Sequence, residues 1–305
     1  MVRSDILERL TQLNKGVLKH SPSQPPADAG SKTAGTQPAV CEPALRIRGE
    51  QVKLMTIEEA VPGVITKEDA GEFLLIKHRL SDIYLDSSKL VHSFRSLSKA
   101  VPPFPEEYSS PELSALYKTH PSQLLFLDIE TCGLSNAPLF LVGIAYFTGE
   151  DFTILQLFAR NYSEERPLLS FFTKLLSQYA GLITFNGKSF DMPFIISRGQ
   201  EYRMDIPGVE LHIDLLFEVR RYWRQLMPDC KLQTVERYVF GRRRSGDIPG
   251  SRIPAIYDEF VQTGNIPLIQ RVLDHNILDI ITMIEIVQEF ISETIKKQHN
   301  TIRSG

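Results

Sequence analysis

Cysteine is scarce in this chain. Its three copies, Cys41, Cys132 and Cys230, are odd in number and widely spaced across 305 residues. That argues against a disulfide framework and a thiolate zinc site, and it suits a reducing cytoplasm. Long apolar runs are also missing. None approaches the ~20 residues that a membrane helix needs, so no membrane association is expected. Residues 1–18 mix charges with apolar side chains and lack the continuous apolar stretch of a secretory signal. Charge of one sign is not in excess. With 34 Lys+Arg against 37 Asp+Glu, the net charge of −3 excludes a basic coat for nucleic acid but leaves room for a local basic groove. What remains is a globular composition, 42% hydrophobic and 23% charged, long enough for one large domain or two small ones.

Residues 4–19 carry a weak helical pattern through Ile6, Leu7, Leu10, Leu13 and Val17. Residues 20–45, rich in Pro, Ser, Ala, Gly and Thr, bury too little apolar surface to order themselves and read as a flexible linker. Short apolar pieces follow, such as Val52–Met55 and Phe73–Ile76, set between polar turns. The expected organisation is a helix and linker over 1–45 and an N-terminal extension over 46–110. A main domain over 111–297, on which the extension packs, and a tail over 298–305 complete it.

From about residue 122 the pattern sharpens. Leu124–Asp128, Phe140–Phe147 and Phe152–Phe158 predict three consecutive strands, with Gly149-Glu150-Asp151 turning the second into the third. Leu168, Leu169, Phe172, Leu175 and Leu176 recur at helical spacing over about 164–179. Leu182–Phe185 predicts a short buried strand, and Pro193 sits where a helix starts. Two helices are expected over 215–226 and 231–240, then a polar loop over about 241–254 and a long helix over about 266–296. Three antiparallel strands followed by alternating helix and strand predict an α/β domain with a mixed sheet.

The chemistry begins at Asp128 and Glu130. Side chains two apart on a strand point the same way, so these carboxylates leave one face together at the end of an apolar run. Two adjacent buried anions repel and are costly to desolvate, and a divalent cation removes that cost. Further candidate ligands follow along the chain. Asp191 stands at a helix start after the Phe185-Asn186-Gly187 strand end, where open α/β sheets present ligands. Asp279 interrupts an apolar helical run, and His275, four residues earlier, shares its face. Asp214 reads as a helix cap or supporting residue. Asn186 and Lys188 are candidates to orient Asp191 or to touch phosphate, a plain turn at Asn186-Gly187 being the alternative. Arg220, Arg221 and Arg224, with Arg242-Arg243-Arg244, form the densest basic region, readable as a nucleic-acid track or as a solvated, salt-bridged face. Tyr222 could stack on a base, whereas core packing is the better reading of Trp223. Cys132 has no evident partner base and reads as a packing residue.

Asp-x-Glu on a first strand, Phe185-Asn-Gly-Lys-Ser-Phe-Asp191, His212-Ile-Asp-Leu-Leu, Asp247-Ile-Pro-Gly and the His275-Asn276 to Asp279 helix, in that order, resemble the DEDD 3′–5′ exonucleases. The likeness is to their bacterial YprB-type branch and covers about residues 122–292. The resemblance implies a ribonuclease-H-like fold and a nuclease cutting phosphodiester bonds, with two Mg²⁺ or Mn²⁺ ions held by Asp128, Glu130, Asp191 and Asp279. It also implies a nucleic-acid substrate, DNA or RNA, single-stranded or with a free 3′ end. Hard oxygen ligands suit those ions, and two of them about 3.5–4 Å apart serve such a reaction. His275 is the candidate general base. Its spacing departs from the family, in which either Tyr stands four residues before the last Asp or His five. A structure-selective endonuclease on the same fold and a non-catalytic nucleic-acid-binding protein remain the alternatives.

Overall fold

The apolar run at Leu124 forms a strand buried on both faces, and the rest of the fold is laid around it. A computed structural model of the chain describes residues 2–13, 55–97, 110–135 and 137–304. The expected linker over 20–45 and Cys41 lie outside the described residues. In chain order the elements are α1 (Val2–Leu13), α2 (Ile57–Ala60), β1 (Gly63–Glu68), β2 (Gly71–Arg79), α3 (Leu80–Ile83), α4 (Ser87–Leu97) and α5 (Pro111–Lys118). Next come β3 (Leu124–Thr131), β4 (Leu139–Phe147), β5 (Phe152–Phe158), α6 (Glu165–Leu176), β6 (Gly181–Thr184), α7 (Asp191–Glu201), β7 (Leu211–Asp214) and α8 (Leu215–Trp223). Helices α9 (Leu232–Tyr238), α10 (Ile253–Thr263) and α11 (Ile266–Ser304) close the chain. No helix among the described residues is long and apolar enough to cross a membrane.

The strands form a seven-stranded sheet in the order β1-β2-β5-β4-β3-β6-β7. Strands β3, β4 and β5 pair antiparallel, and β6 and β7 then add parallel to β3. This is the mixed α/β sheet expected from the sequence. Strands β1 and β2 continue it antiparallel beyond β5. Residues 63–79 therefore build the same sheet as the main domain. The edge strand β1 is only half-buried, which explains its weak apolar signal. Strand β7 and helix α10 carry no clear signal either: the strand is four residues long, too short to establish a period.

Two apolar layers sandwich the sheet. Leu125, Leu127 and Ile129 pack with α6 through Leu168, Leu169 and Phe172. Leu124 and Phe126 face the other layer, with α4, α8 and the middle of α11. Asp128 and Glu130 share the parity of Leu124 and Phe126, so they point into the layer that α11 crosses. The crossing is close. Gly143 on β4 is the register partner of Asp128, and a Cβ added at Gly143 would overlap the Asn276 carboxamide on α11. A glycine here lets the helix backbone reach the sheet at the acidic strand.

Gly143→Ala is expected to destabilise the protein by about 1–3 kcal/mol, the cost of overpacking a filled site, because Asn276 has nowhere to retreat. Chemical denaturation checks this; an unchanged midpoint would mean the helix does not sit this close.

Candidate active site

The four carboxylates expected to act together come from three elements. Asp128 and Glu130 leave β3, Asp191 is the first residue of α7, and Asp279 lies on α11. The structure brings them into one electrostatic cluster. Burial, and then the charges of Asp279, Glu130 and Asp191, hold the Asp128 carboxyl well above the usual carboxylate range. Burial, Asp279 and Asp191 do the same to Glu130. Burial raises Asp191 to about 7, against opposing hydrogen bonds from its own backbone and that of Ile129. The Ile129 contact ties Asp191 to the backbone of β3. Glu130 and Asp279 keep 14% and 16% of their side chains exposed, so the cluster is open to a small ligand.

Two basic groups already reach the cluster from the protein: His275, a cation when protonated, and Arg244. His275 Nε2 stands 3.4 Å from Asp279 Oδ2 and 3.9 Å from Glu130 Oε1. Its Nδ1 lies 2.8 and 2.9 Å from the two oxygens of Asp247. An ionised carboxylate only accepts, so Nδ1 carries a proton, and Asp247 fixes the ring with Nε2 toward the cluster. Burial works to lower the His275 pKa, but Asp279 and the bonded Asp247 together raise it above its ordinary value.

Arg244 is the second cation. Its side chain is 2% exposed. Its Nε and one terminal nitrogen meet Glu236 at 2.6–3.1 Å, and its other terminal nitrogen meets Asp247 at 3.1 Å. The nitrogen on Glu236 also bonds Asp279. Arg242 is likewise buried, paired with Glu285 and bonded to Tyr84 and Thr282. The Arg242–Arg244 run is therefore not a surface track: of the three, Arg243 alone is exposed. Sequence cannot show this, because Glu285 and Asp279 lie 43 and 35 residues away.

Asn276 supplies a neutral anchor. Its Nδ2 donates to Asp128 Oδ2 at 2.8 Å, and Gln156 Nε2 on β5 donates to Asn276 Oδ1 at 3.0 Å and to the Leu273 carbonyl at 2.8 Å. Both amides are buried, and Gln156 interrupts the otherwise mostly apolar β5. That interruption was the readable signal for a relay from the sheet through α11 to Asp128.

The remaining expected residues lie one layer out. Asp214 caps α8 through the Leu216 N–H at 3.1 Å. It also accepts from the backbone N–H groups of Asn186 at 2.7 Å and Lys188 at 3.1 Å. One carboxylate thus ties the β6–α7 turn, where Asn186 has a φ of 66°, to the start of α8. Lys188 lies 3.5 Å from Glu112 and over the Phe217 ring. The Cys132 thiol is pushed up to about 12, first by burial and then by Glu165, so it is no nucleophile at neutral pH.

As the side chains are placed, no group of three or more His, Cys, Asp or Glu among the described residues is arranged to hold a metal ion. The donor chemistry nonetheless fits a hard divalent cation: Asp128, Glu130 and Asp191 offer largely buried carboxylate oxygens whose pKa values burial and the charge of Asp279 both raise. Arg244 engages one oxygen of Asp279, the fourth carboxylate.

A mixed sheet flanked by helices, with acidic residues from β3, α7 and α11 gathered at one end of β3, defines a ribonuclease-H-like α/β domain. The RNase H superfamily matches residues 125–291, and the chain belongs to that superfamily. It is 30% identical over 215 residues to the uncharacterized protein YprB of Bacillus subtilis (strain 168), covering 68% of this chain and 51% of that protein. The chain thus spans about half the length of that curated relative. Among solved structures, a family B DNA polymerase from the hyperthermophilic archaeon Pyrobaculum calidifontis aligns with a TM-score of 0.43 and 16% identity. That alignment covers 55% of this chain and 24% of the polymerase.

A carboxylate whose folded pKa exceeds its unfolded value costs stability once ionised. For Asp191 the cost is absent below the unfolded value, about 4, and complete above the folded value of about 7. In chelator, stability is therefore expected to fall as pH rises through that window. Asp191→Asn should flatten the fall and raise the melting temperature at pH 8. A mutant that melts lower than wild type at pH 8 would show that the cluster is not under charge strain.

Proposed function

We propose that the chain is a metal-dependent nuclease, a 3′–5′ exonuclease that hydrolyses phosphodiester bonds of single-stranded nucleic acid. The observation that carries this reading is the convergence of Asp128, Glu130, Asp191 and Asp279 at one end of the central strand. The polarity and the preference for single strands come from the resemblance to DEDD exonucleases. Asp128, Glu130, Asp191 and Asp279 would hold two Mg²⁺ or Mn²⁺ ions, which supply an ionisable water and stabilise charge on the phosphate and leaving oxygen.

The protein's own groups divide the remaining work. Asn276 fixes the rotamer of Asp128, and the Ile129 N–H fixes Asp191. His275 in its neutral form presents the Nε2 lone pair toward Asp279 and Glu130, where it accepts a proton from the attacking water. Asp247 holds that tautomer and orients the ring. The 3′ oxygen leaves as the phosphorus–oxygen bond breaks and takes its proton from solvent. A cytoplasmic setting suits the free thiols of Cys132 and Cys230.

A structure-selective endonuclease would use the same carboxylates, so substrate ends decide between the two readings. End-labelled linear and circular single-stranded DNA and RNA, incubated with Mn²⁺, are expected to show degradation of the linear forms alone. Asn276→Ala should cost roughly 10–100-fold in rate, the usual loss when a support behind a metal-binding group goes. Asp128→Ala should lose more while keeping its fold. Full metal-dependent activity in Asp128→Ala would sink the proposal, and cleavage of circles would move it to an endonuclease.

A further inference from the structure

The arginines around α8, unlike Arg242 and Arg244, lie on the surface. Helix α8 carries Phe217, Arg220 and Arg221, and a 3-10 turn carries Arg224 directly after it, all exposed. Their spacing of three, four and seven residues puts them on one helical face. The opposite face, with Leu216, Val219 and Trp223, is buried. Trp223 stacks on Phe290, so it packs in the core, while Phe217 is 47% exposed.

Arg220 and Arg224, with Lys231, line an open cavity of about 570 Å³. Asp229 is the one acidic residue of that lining, and Lys231 is 3.9 Å from it. Arg224 donates to the Pro228 carbonyl at 3.4 Å, and no ion pair closes on Arg220 among the described residues. The buried or part-buried Arg160, Arg198, Arg242 and Arg244, by contrast, are all neutralised by carboxylates. In a chain of net charge −3, a stripe of exposed arginines beside an exposed aromatic ring has the composition of a surface that meets polyphosphate and bases.

The cavity also adjoins the turn that leads to the candidate active site. Phe185 and Asn186 form part of its wall and begin the β6–α7 connection that ends at Asp191. Asp214 bonds this turn and caps α8 at once, so the basic face and the acidic cluster are held by one junction. Lys188 completes the approach, with its Nζ 5.8 Å from the Phe217 ring centroid.

We propose that Arg220, Arg224 and Lys231 form the track for the sugar–phosphate backbone of a single-stranded substrate, with Phe217 as its stacking platform. This rests on the nuclease reading and names the path by which the strand reaches the carboxylates. Each lost phosphate contact lowers the log–log salt slope of single-strand binding by about 0.7. Fluorescence anisotropy of labelled oligo-dT and oligo-U, measured in chelator so that nothing is cut, reads that slope directly. The Arg220→Ala/Arg224→Ala/Lys231→Ala variant is expected to bind at least about tenfold more weakly at low salt, with the slope reduced by about 2. Phe217→Ala should weaken binding without changing the slope. Arg243→Ala, exposed but off the track, should bind as wild type does, and thermal melts of all variants confirm folding.

An unchanged slope in the triple variant, an equal loss in Arg243→Ala, or no binding of either oligonucleotide by wild type would each overturn the track. Cleavage by wild type with Mn²⁺ is read separately. Cleavage with an unchanged slope defeats the track and leaves the nuclease. A reduced slope without cleavage supports the track and defeats the nuclease.

Discussion

Uncompensated negative charge at the end of β3 is the constraint on which the structure around it depends. Asp128, Glu130 and Asp191 are held in a largely buried space, where burial raises all three pKa values and the charge of Asp279 adds to each. Such a cluster would be removed from a merely structural core, because apolar residues of the same size pack there at lower cost. The fold instead spends effort on keeping it. Gly143 opens the sheet surface, Asn276 descends to hold Asp128, and Gln156 holds Asn276 from the next strand. Local instability retained and supported in this way marks a place where function sets the sequence.

The surrounding cations show how the cluster is tuned. Arg244 balances Asp279, Glu236 and Asp247 from a position closed to solvent. His275 is tied by Asp247 on one side and faces Asp279 and Glu130 on the other. Both Arg244 and Asp247 come from the loop between α9 and α10, so that loop is part of the site rather than a surface connection. Helix α1 reaches the same region: Arg9 forms a bidentate pair with Asp274, next to His275, and the Leu13 carbonyl accepts from the Ser245 N–H at 2.6 Å. The N-terminal helix thus braces both the α11 segment and the loop that meet at the carboxylates.

Much of this was legible in the residues. The apolar runs of β3, β4 and β5 announced themselves, because strands buried on both faces need no alternation to be seen. The carboxylates stood out because Asp128, Glu130 and Asp279 each interrupt such a run. Sequence could not sort the arginines. Arg220 and Arg242 look alike in a list, and only long-range contacts make one exposed and the other buried. Nor could it assign Asp247 to His275 across 28 residues, since no local period links a loop to a helix. The edge strand β1 stayed hidden because half-buried residues blur the two-residue alternation. His275 keeps the four-residue spacing that separates it from the family patterns, and Asp247 behind it supplies the geometry by which that spacing can serve.

The central claim is that buried, mutually repelling carboxylates form a seat for divalent cations. Calorimetric titration of Mn²⁺ near pH 7, in buffers of different ionisation enthalpy, tests it most directly. Carboxyls with raised pKa values must release protons when a cation binds. The account predicts saturable binding with net proton release, and loss of both in a Glu130→Gln/Asp191→Asn double variant that remains folded. Absence of saturable binding by the wild-type protein, or binding unaffected by that double change, would contradict it.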